Sequence, residues 1–139
     1  MGTQLNNAIG VAGELRVMSE LLLRGHKPAK SYLEDGVDIL LPNGLGIEVK
    51  SAHRCHLIVA EGRKPRSTYL FTLKGGGRKM PQNLQECDFL VLWCIDEDYF
   101  LIIPKADIKT TVVAVDKLTP LSKYAKYKNR WDLLQGEIK

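Results

Sequence analysis

Residues 37–52 read VDILLPNGLGIEVKSA, and this stretch decides the fold. Two apolar segments flank Pro42-Asn43-Gly44, a combination that is typical of a hairpin turn. In the second segment the side chains alternate, which places apolar residues on one face and Glu48 and Lys50 together on the other. The stretch therefore predicts two strands, over residues 37–41 and 45–52, with an acid and a lysine as neighbours on the second.

The length of the turn decides where Asp38 lies. A two-residue loop at Asn43-Gly44 would place Asp38 opposite Val49, on the face away from Glu48. A three-residue loop over residues 42–44 pairs Leu41 with Leu45 and places Asp38 opposite Glu48, with their Cβ atoms ~4.5–5.5 Å apart. Two carboxylates that close repel each other unless a cation bridges them or one keeps its proton. Hard oxygen ligands of this kind suit Mg²⁺, which also retains waters and takes phosphate oxygens.

A helix is expected over residues 4–25, before these strands. Its apolar stripe consists of Ala8, Val11, Ala12, Leu15, Met18 and Leu22, and Gly25 is a stop signal. Glu14 has Val11, Met18 and Leu21 as helical neighbours, which predicts either an inward functional carboxylate or a side chain that reaches water from the edge of the arc.

The rest of the chain predicts further strands and two helices. Extended segments are expected at 27–33, 57–60, 68–73, 89–95, 99–103 and 111–115, a short helix at 81–86, and a helix over Thr119–Gln135. This order favours an α/β class, a sandwich built on a mixed central β-sheet flanked by helices. The 139 residues are expected to form a single domain.

Composition narrows the setting of the protein. Its 45% hydrophobic and 26% charged residues are ordinary for a globular protein and exclude a disordered or collagen-like chain. Three cysteines without a C-x-x-C pair argue against a disulfide framework and against a structural zinc site. The sequence also has no secretory signal and no stretch that spans a bilayer, so a cytoplasmic location without membrane contact is expected.

Positive charge is concentrated in one part of the chain. Residues 51–80 contain seven basic residues and one acid, whereas the other 109 residues contain 13 basic and 15 acidic residues. A basic patch is the surface that binds a polyanion, although it also occurs as a plain solvated surface. The residues expected to contact DNA phosphates are Arg54, Arg63, Lys64, Arg66, Lys74, Arg78 and Lys79.

The arrangement of Asp38, ten further residues, and Glu48-x-Lys50, after a helix that carries Glu14, resembles the PD-(D/E)XK nucleases of the restriction-endonuclease-like superfamily. The later hairpin over residues 89–103 resembles the core shared by Holliday-junction resolvases and small homing or restriction endonucleases. The family's proline before the first acid is Val37 here, a departure that leaves the acids intact.

The resemblance implies a Mg²⁺-dependent DNA endonuclease in which Mn²⁺ can substitute for Mg²⁺. Asp38, Glu48 and the Val49 carbonyl would be metal ligands. Lys50 would orient or activate the attacking water, and Glu14 would be an outer or second-metal acid.

Two other classes compete with the nuclease, namely a non-catalytic basic module that binds nucleic acid and a structural subunit that binds an acidic protein. The set of Asp38, Glu48 and Lys50 favours the enzyme, because a pure binder has no use for acids beside its phosphate site. A junction resolvase and a site-specific cutter both remain open. Because so small a domain cannot easily span both DNA strands, a homodimer or higher homo-oligomer is expected.

Overall fold

The computed structural model describes residues 2–31, 37–58, 60–73 and 87–135, with the side chains described from residue 5 onward. Helix α1 spans Gly2–Leu23. The strands are β1 (Ala29–Lys30), β2 (Ile39–Leu40), β3 (Gly46–Ala52), β4 (Arg54–Leu57), β5 (Arg66–Thr72), β6 (Phe89–Cys94), β7 (Tyr99–Pro104) and β8 (Val112–Val115). The helix expected at 81–86 lies outside the described residues, as do Lys74, Arg78 and Lys79.

The described strands form two sheets. The first has the order β1-β2-β3-β6-β7, and the second has the order β4-β5-β8. In the first sheet β3 pairs parallel with β6 and the other pairs are antiparallel. The mixed sheet and the α/β class are therefore confirmed.

Two apolar clusters cover the two faces of the first sheet. On one face, Val17 and Leu21 of α1 pack with Ile47, Val49 and other residues of the sheet. On the opposite face, residues of β6 and β7 pack against the second sheet through side chains such as Tyr69, Phe71 and Val113. Strand β6 lies between these clusters, which explains why its sequence FLVLWC is almost uninterrupted in apolar residues.

Helix α1 ends where the sequence predicts. The Gly25 N–H donates to the Leu22 carbonyl and the His26 N–H donates to the Leu21 carbonyl, which is the Schellman pattern of hydrogen bonds. Gly25 adopts a φ of 91°, a left-handed conformation that glycine takes at no steric cost.

The buried face of α1 differs from the prediction. Val11, Leu15 and Leu22 of the predicted core stripe are 57%, 60% and 59% exposed. The helix instead buries Gly13 together with the two cluster residues Val17 and Leu21. Met18 of the predicted stripe packs against the same cluster, but Val11, Leu15 and Leu22 do not, so the prediction was wrong for most of the stripe.

The prediction of a C-terminal helix over Thr119–Gln135 is also wrong. This segment contains two 3₁₀ turns, at Ala125–Tyr127 and Trp131–Gln135. Asn129, with a φ of 52°, lies between them. It exchanges hydrogen bonds with Phe100 of β7, because its N–H donates to the Phe100 carbonyl at 2.7 Å and its Oδ1 accepts the Phe100 N–H at 3.0 Å. Pairing with the edge of the sheet thus replaces helical hydrogen bonds.

Candidate active site

The register of the β2–β3 hairpin brings Asp38 and Glu48 together. Ile39 pairs with Ile47 and Leu40 with Gly46, and the Leu41 N–H donates to the Leu45 carbonyl. This is the register of the three-residue loop, and its continuation places Asp38 opposite Glu48.

At the end of the β2–β3 hairpin, the side chain of Asp38 accepts a hydrogen bond from the backbone of β3. Its N–H donates to the Ile47 carbonyl at 2.8 Å, and its Oδ2 accepts the Val49 N–H at 2.8 Å. Burial raises the pKa of Asp38, although the Val49 N–H opposes that rise. The hydrogen bond therefore fixes the carboxylate against β3, beside the backbone of the predicted ligand Val49.

Glu48 is a buried acid in the middle of β3. It is only 6% exposed, and burial raises its pKa to about 8, with repulsion from Asp38 as the second cause. The Lys50 Nζ lies 3.6 Å from the Glu48 Oε2 and opposes that rise. A charged Glu48 is thus disfavoured here unless more positive charge approaches it.

Glu14 of α1 joins these residues. It is half-buried and pairs with Lys30 of β1, and its negative charge contributes to the raised pKa of both Asp38 and Glu48. The structure therefore brings together all four residues predicted to be catalytic, which come from α1, the β2–β3 hairpin and β3.

These residues line a cavity of about 620 Å³ between α1 and the end of β3. Asn6, Ile9 and Gly10 of α1 form one wall. The segment from Glu48 through Cys55 forms another, with Asp38 and Glu14 beside it. The cavity places acidic groups and Lys50 in one open space that a phosphodiester can enter.

The donor set fits a hard divalent cation. Two carboxylates with raised pKa values lie side by side, and a bridging cation removes the repulsion between them. Mg²⁺ binds through one or two carboxylates and fills its other positions with water and substrate oxygens. Within the described part of the chain, no group of three His, Cys, Asp or Glu side chains converges as a metal site, so a closed zinc-like site is not formed there.

A turn from the β6–β7 hairpin holds the chain just beyond β3. Asp96 accepts a hydrogen bond from the Arg54 N–H at 2.7 Å, and its Oδ1 lies 2.7 Å from the His53 Nδ1. These two contacts lower the pKa of Asp96. They fix His53 and Arg54 at the rim of the cavity.

The predicted DNA-binding residues fall into three groups. Arg54 is bound to Glu97 at 2.7 Å and stacks on Tyr69, and Arg66 is bound to Asp116 at 2.9 Å. Arg63 and Lys64 are exposed in the β4–β5 loop, and neither enters an ion pair with the described residues. The other three, Lys74, Arg78 and Lys79, lie outside the described residues.

Two further residues, Lys30 and Cys87, interact with the acids of the site and were not predicted from the sequence. Lys30 pairs with Glu14, and its positive charge opposes the rise that burial causes in the pKa of Asp38. Burial, followed by the charge of Glu48, raises the pKa of Cys87 to about 12. No signal in the sequence points to Lys30, because its position depends on the pairing of the two-residue strand β1 with β2.

The structure is similar to that of the bacterial homing endonuclease I-Ssp6803I. The TM-score is 0.70 over 96% of this chain and 93% of that chain, at 16% sequence identity. No protein-family model and no curated protein matches the chain. The two proteins therefore share an α/β fold with a mixed sheet. None of the described helices is long and apolar enough to cross a membrane.

Proposed function

We propose that the protein is a metal-dependent DNA endonuclease of the PD-(D/E)XK type. The observation that carries the proposal is the pair of neighbouring carboxylates, the half-buried Asp38 and the buried Glu48, with Lys50 Nζ 3.6 Å from the Glu48 Oε2. Burying two like charges together is costly, so a fold that does so without a ligand loses stability. The similarity of fold to a homing endonuclease supports the same conclusion.

Each residue has a distinct role in this proposal. Asp38, Glu48 and the Val49 carbonyl would hold Mg²⁺ or Mn²⁺, which supplies charge stabilisation at the phosphate and an acidified water. Lys50 donates to the water or to a phosphate oxygen, where its positive charge opposes the negative charge that develops in the transition state. Glu14 lies at the edge of the site as an outer acid, balanced by Lys30.

DNA is the proposed substrate, and site-specific cleavage of a duplex is the preferred reaction. The exposed Arg63 and Lys64 of the β4–β5 loop would contact phosphates of the same DNA. The protein of similar structure is a homing endonuclease, and this similarity favours a site-specific cutter over a junction resolvase.

The decisive experiment separates metal binding from chemistry. We expect Lys50→Ala to lower the single-turnover cleavage rate by ~10²–10³ while Mg²⁺ affinity, measured by calorimetry, is retained, because an ammonium is not a metal ligand. Asp38→Ala should lose both. Lys50→Arg should restore little, because a planar guanidinium does not replace a compact ammonium.

Substrates and controls complete the design. Cleavage of plasmid, random linear duplex and a four-way junction is compared side by side with Mg²⁺. Selective cutting of the junction would indicate a junction resolvase and not a site-specific cutter. Lys27→Ala and Glu61→Gln are matched controls, since both residues are exposed and lie outside the cavity. Wild-type protein that binds neither Mg²⁺ nor Mn²⁺ in calorimetry, or a fully active Asp38→Ala variant, would refute the proposal.

A further inference from the structure

Four exposed lysines line two adjoining cavities beside β8 and the segment that follows it. One cavity, of about 220 Å³, has Lys109, Lys123 and Lys126 in its lining. The other, of about 240 Å³, has Lys117 and Lys123 in its lining. Lys123 and Tyr124 border both cavities, so the two form one continuous surface. We call it the lysine track, and its members are Lys109, Lys117, Lys123 and Lys126.

The positive charge of the lysine track is not balanced within the described part of the chain. None of its four lysines forms an ion pair with a described residue. Two acids line the same cavities, and one of them, Asp116, is bound by Arg66 at 2.9 Å. The other, Asp107, accepts a hydrogen bond from the Tyr127 hydroxyl at 2.6 Å. The surface therefore carries an excess of positive charge, which attracts a polyanion.

Aromatic rings hold two of these lysines in place. Lys123 Nζ lies 5.4 Å from the centre of the Tyr124 ring, and Lys126 Nζ lies 5.3 Å from the centre of the Tyr127 ring. Tyr127 is itself buried and is fixed by its hydrogen bond to Asp107. Attraction between an ammonium and a ring restricts the lysine before any ligand binds, so less conformational freedom is lost on binding.

The lysine track begins next to the rim of the candidate active site. Arg54 lines the active-site cavity, and its guanidinium donates to the Asp116 carbonyl at 3.1 Å. Lys117 of the track is the next residue along the chain. One side chain thus separates the cavity from the track. A long polyanion with one phosphate in the cavity can therefore extend onto the lysines.

We propose that the lysine track binds the phosphates of DNA that flank the cleavage site. This inference rests on the proposed nuclease function, and it extends the contact with DNA beyond the basic segment of residues 51–80. Lysine suits this role because an ammonium binds phosphate as a point charge and carries no base specificity. The track adds affinity and positions the DNA, while Asp38, Glu48 and Lys50 perform the chemistry.

Lys123→Gln combined with Lys126→Gln tests the proposal. Loss of two phosphate contacts should flatten the slope of log K against log salt by about 1.8 per subunit. Fluorescence anisotropy of a labelled duplex of ~30 bp, about three helical turns, measures the slope in metal-free buffer. The single-turnover cleavage rate at saturating DNA should stay close to that of wild type, since neither lysine lines the active-site cavity.

Lys27→Glu is the matched control for this double variant. It lowers the net charge by the same amount, at an exposed position that lines neither cavity of the track. Its salt slope should therefore stay close to that of wild type. A double variant that keeps the wild-type slope would overturn the proposal.

Acetylation of lysines gives a direct readout on the wild-type protein. Saturating duplex should slow the acetylation of Lys117, Lys123 and Lys126 severalfold and leave that of Lys27 unchanged, as measured by mass spectrometry. Acetylation of the track that DNA does not slow would overturn the proposal, and so would protection by heparin without protection by DNA. Either result leaves metal binding and cleavage intact, whereas failure of the nuclease proposal appears as loss of those two activities in wild type.

Discussion

At the scale of single residues, the acid pair sets how the stability of the protein varies with pH. Burial, followed by the charge of Asp38, raises the pKa of Glu48 from 4.5 to about 8. Between these two values the folded, metal-free protein holds a proton that the unfolded chain has released. The resulting contribution to stability is complete below about pH 4.5 and is lost as the pH rises through about 8.

Glu48→Gln tests this prediction, because glutamine keeps the shape of the side chain and cannot ionise. Above about pH 8 the metal-free variant should unfold at a higher temperature than wild type, whereas near pH 4.5 the two should be similar. A one-unit shift in pKa corresponds to about 1.4 kcal/mol, so the difference at high pH should be a few kcal/mol. Thermal unfolding in a metal-free buffer over this pH range measures it.

Glu61→Gln is the control, since Glu61 is an exposed acid in the β4–β5 loop and should leave the pH dependence unchanged. Equal pH dependence in wild type and Glu48→Gln would contradict the argument. Mg²⁺ should stabilise the wild-type protein and not the Glu48→Gln variant. Its binding to wild type below about pH 8 should release the proton that Glu48 holds in the metal-free protein.

The sequence could predict the face of Glu48, but it left the position of Asp38 open between a two-residue and a three-residue turn. Alternation along β3 fixes the face of Glu48, and the three-residue turn over residues 42–44 fixes the position of Asp38. Lys30 could not be found in this way. Its contact with Glu14 joins an edge strand to a helix, and no periodicity in the sequence encodes that contact.

At the scale of elements, Gly13 controls how closely α1 approaches β3. A Cβ atom built on Gly13 would lie 1.8 Å from the Ser51 Oγ and 3.1 Å from the Ser51 Cβ. The Ser51 Oγ is buried and has no hydrogen-bond partner among the described residues. Because Ser51 and Glu14 both line the cavity, the spacing between helix and strand also sets the shape of the site.

Gly13→Ala should therefore destabilise the protein, although alanine is the better helix former. We expect a loss of about 1–3 kcal/mol from overpacking, measured by urea unfolding. Gly10→Ala is the matched control in the same helix, because nothing lies within 4 Å of its added Cβ and a gain of up to ~1 kcal/mol is expected.

Ser51→Ala in the Gly13→Ala background should recover part of the loss, since it removes the Oγ that the new methyl group meets first. Gly13→Ala with the same stability gain as Gly10→Ala would show that α1 and β3 are not held at this spacing.

Elements whose partners are distant in sequence were the hardest to predict. The periodicity of residues 119–135 is compatible with a helix, but Asn129 finds its hydrogen-bond partner 29 residues away on Phe100. The stripe of α1 through Leu15 was predicted to be core because a sequence pattern shows that a face is apolar and does not show what covers it. Gly13 gave no apolar signal, although it lies at the closest contact with the sheet.

At the scale of the whole molecule, the distribution of unpaired charge differs from the distribution of basic residues. The chain carries a net charge of +4, and residues 51–80 form its basic segment. Arg66 in this segment is neutralised by Asp116, whereas Arg63 and Lys64 enter no ion pair with the described residues. A phosphate can displace solvent from an unpaired cation more easily than it can replace a bound carboxylate.

The salt dependence of DNA binding should therefore separate these residues. Each phosphate contact that is lost reduces the slope of log K against log salt by ~0.9, so Arg63→Gln combined with Lys64→Gln should flatten the slope by about 1.8 per subunit. Arg66→Gln should change the slope far less, because its partner Asp116 already holds the guanidinium. Fluorescence anisotropy of a labelled duplex in metal-free buffer, over a series of KCl concentrations, gives both slopes without cleavage.

Arg66→Gln serves as the control for removing a basic residue from the same segment. If the double variant of Arg63 and Lys64 leaves the slope unchanged, the DNA binds to another surface of the molecule. That result would not bear on the cleavage chemistry of Asp38, Glu48 and Lys50, which the cleavage and calorimetry experiment tests separately.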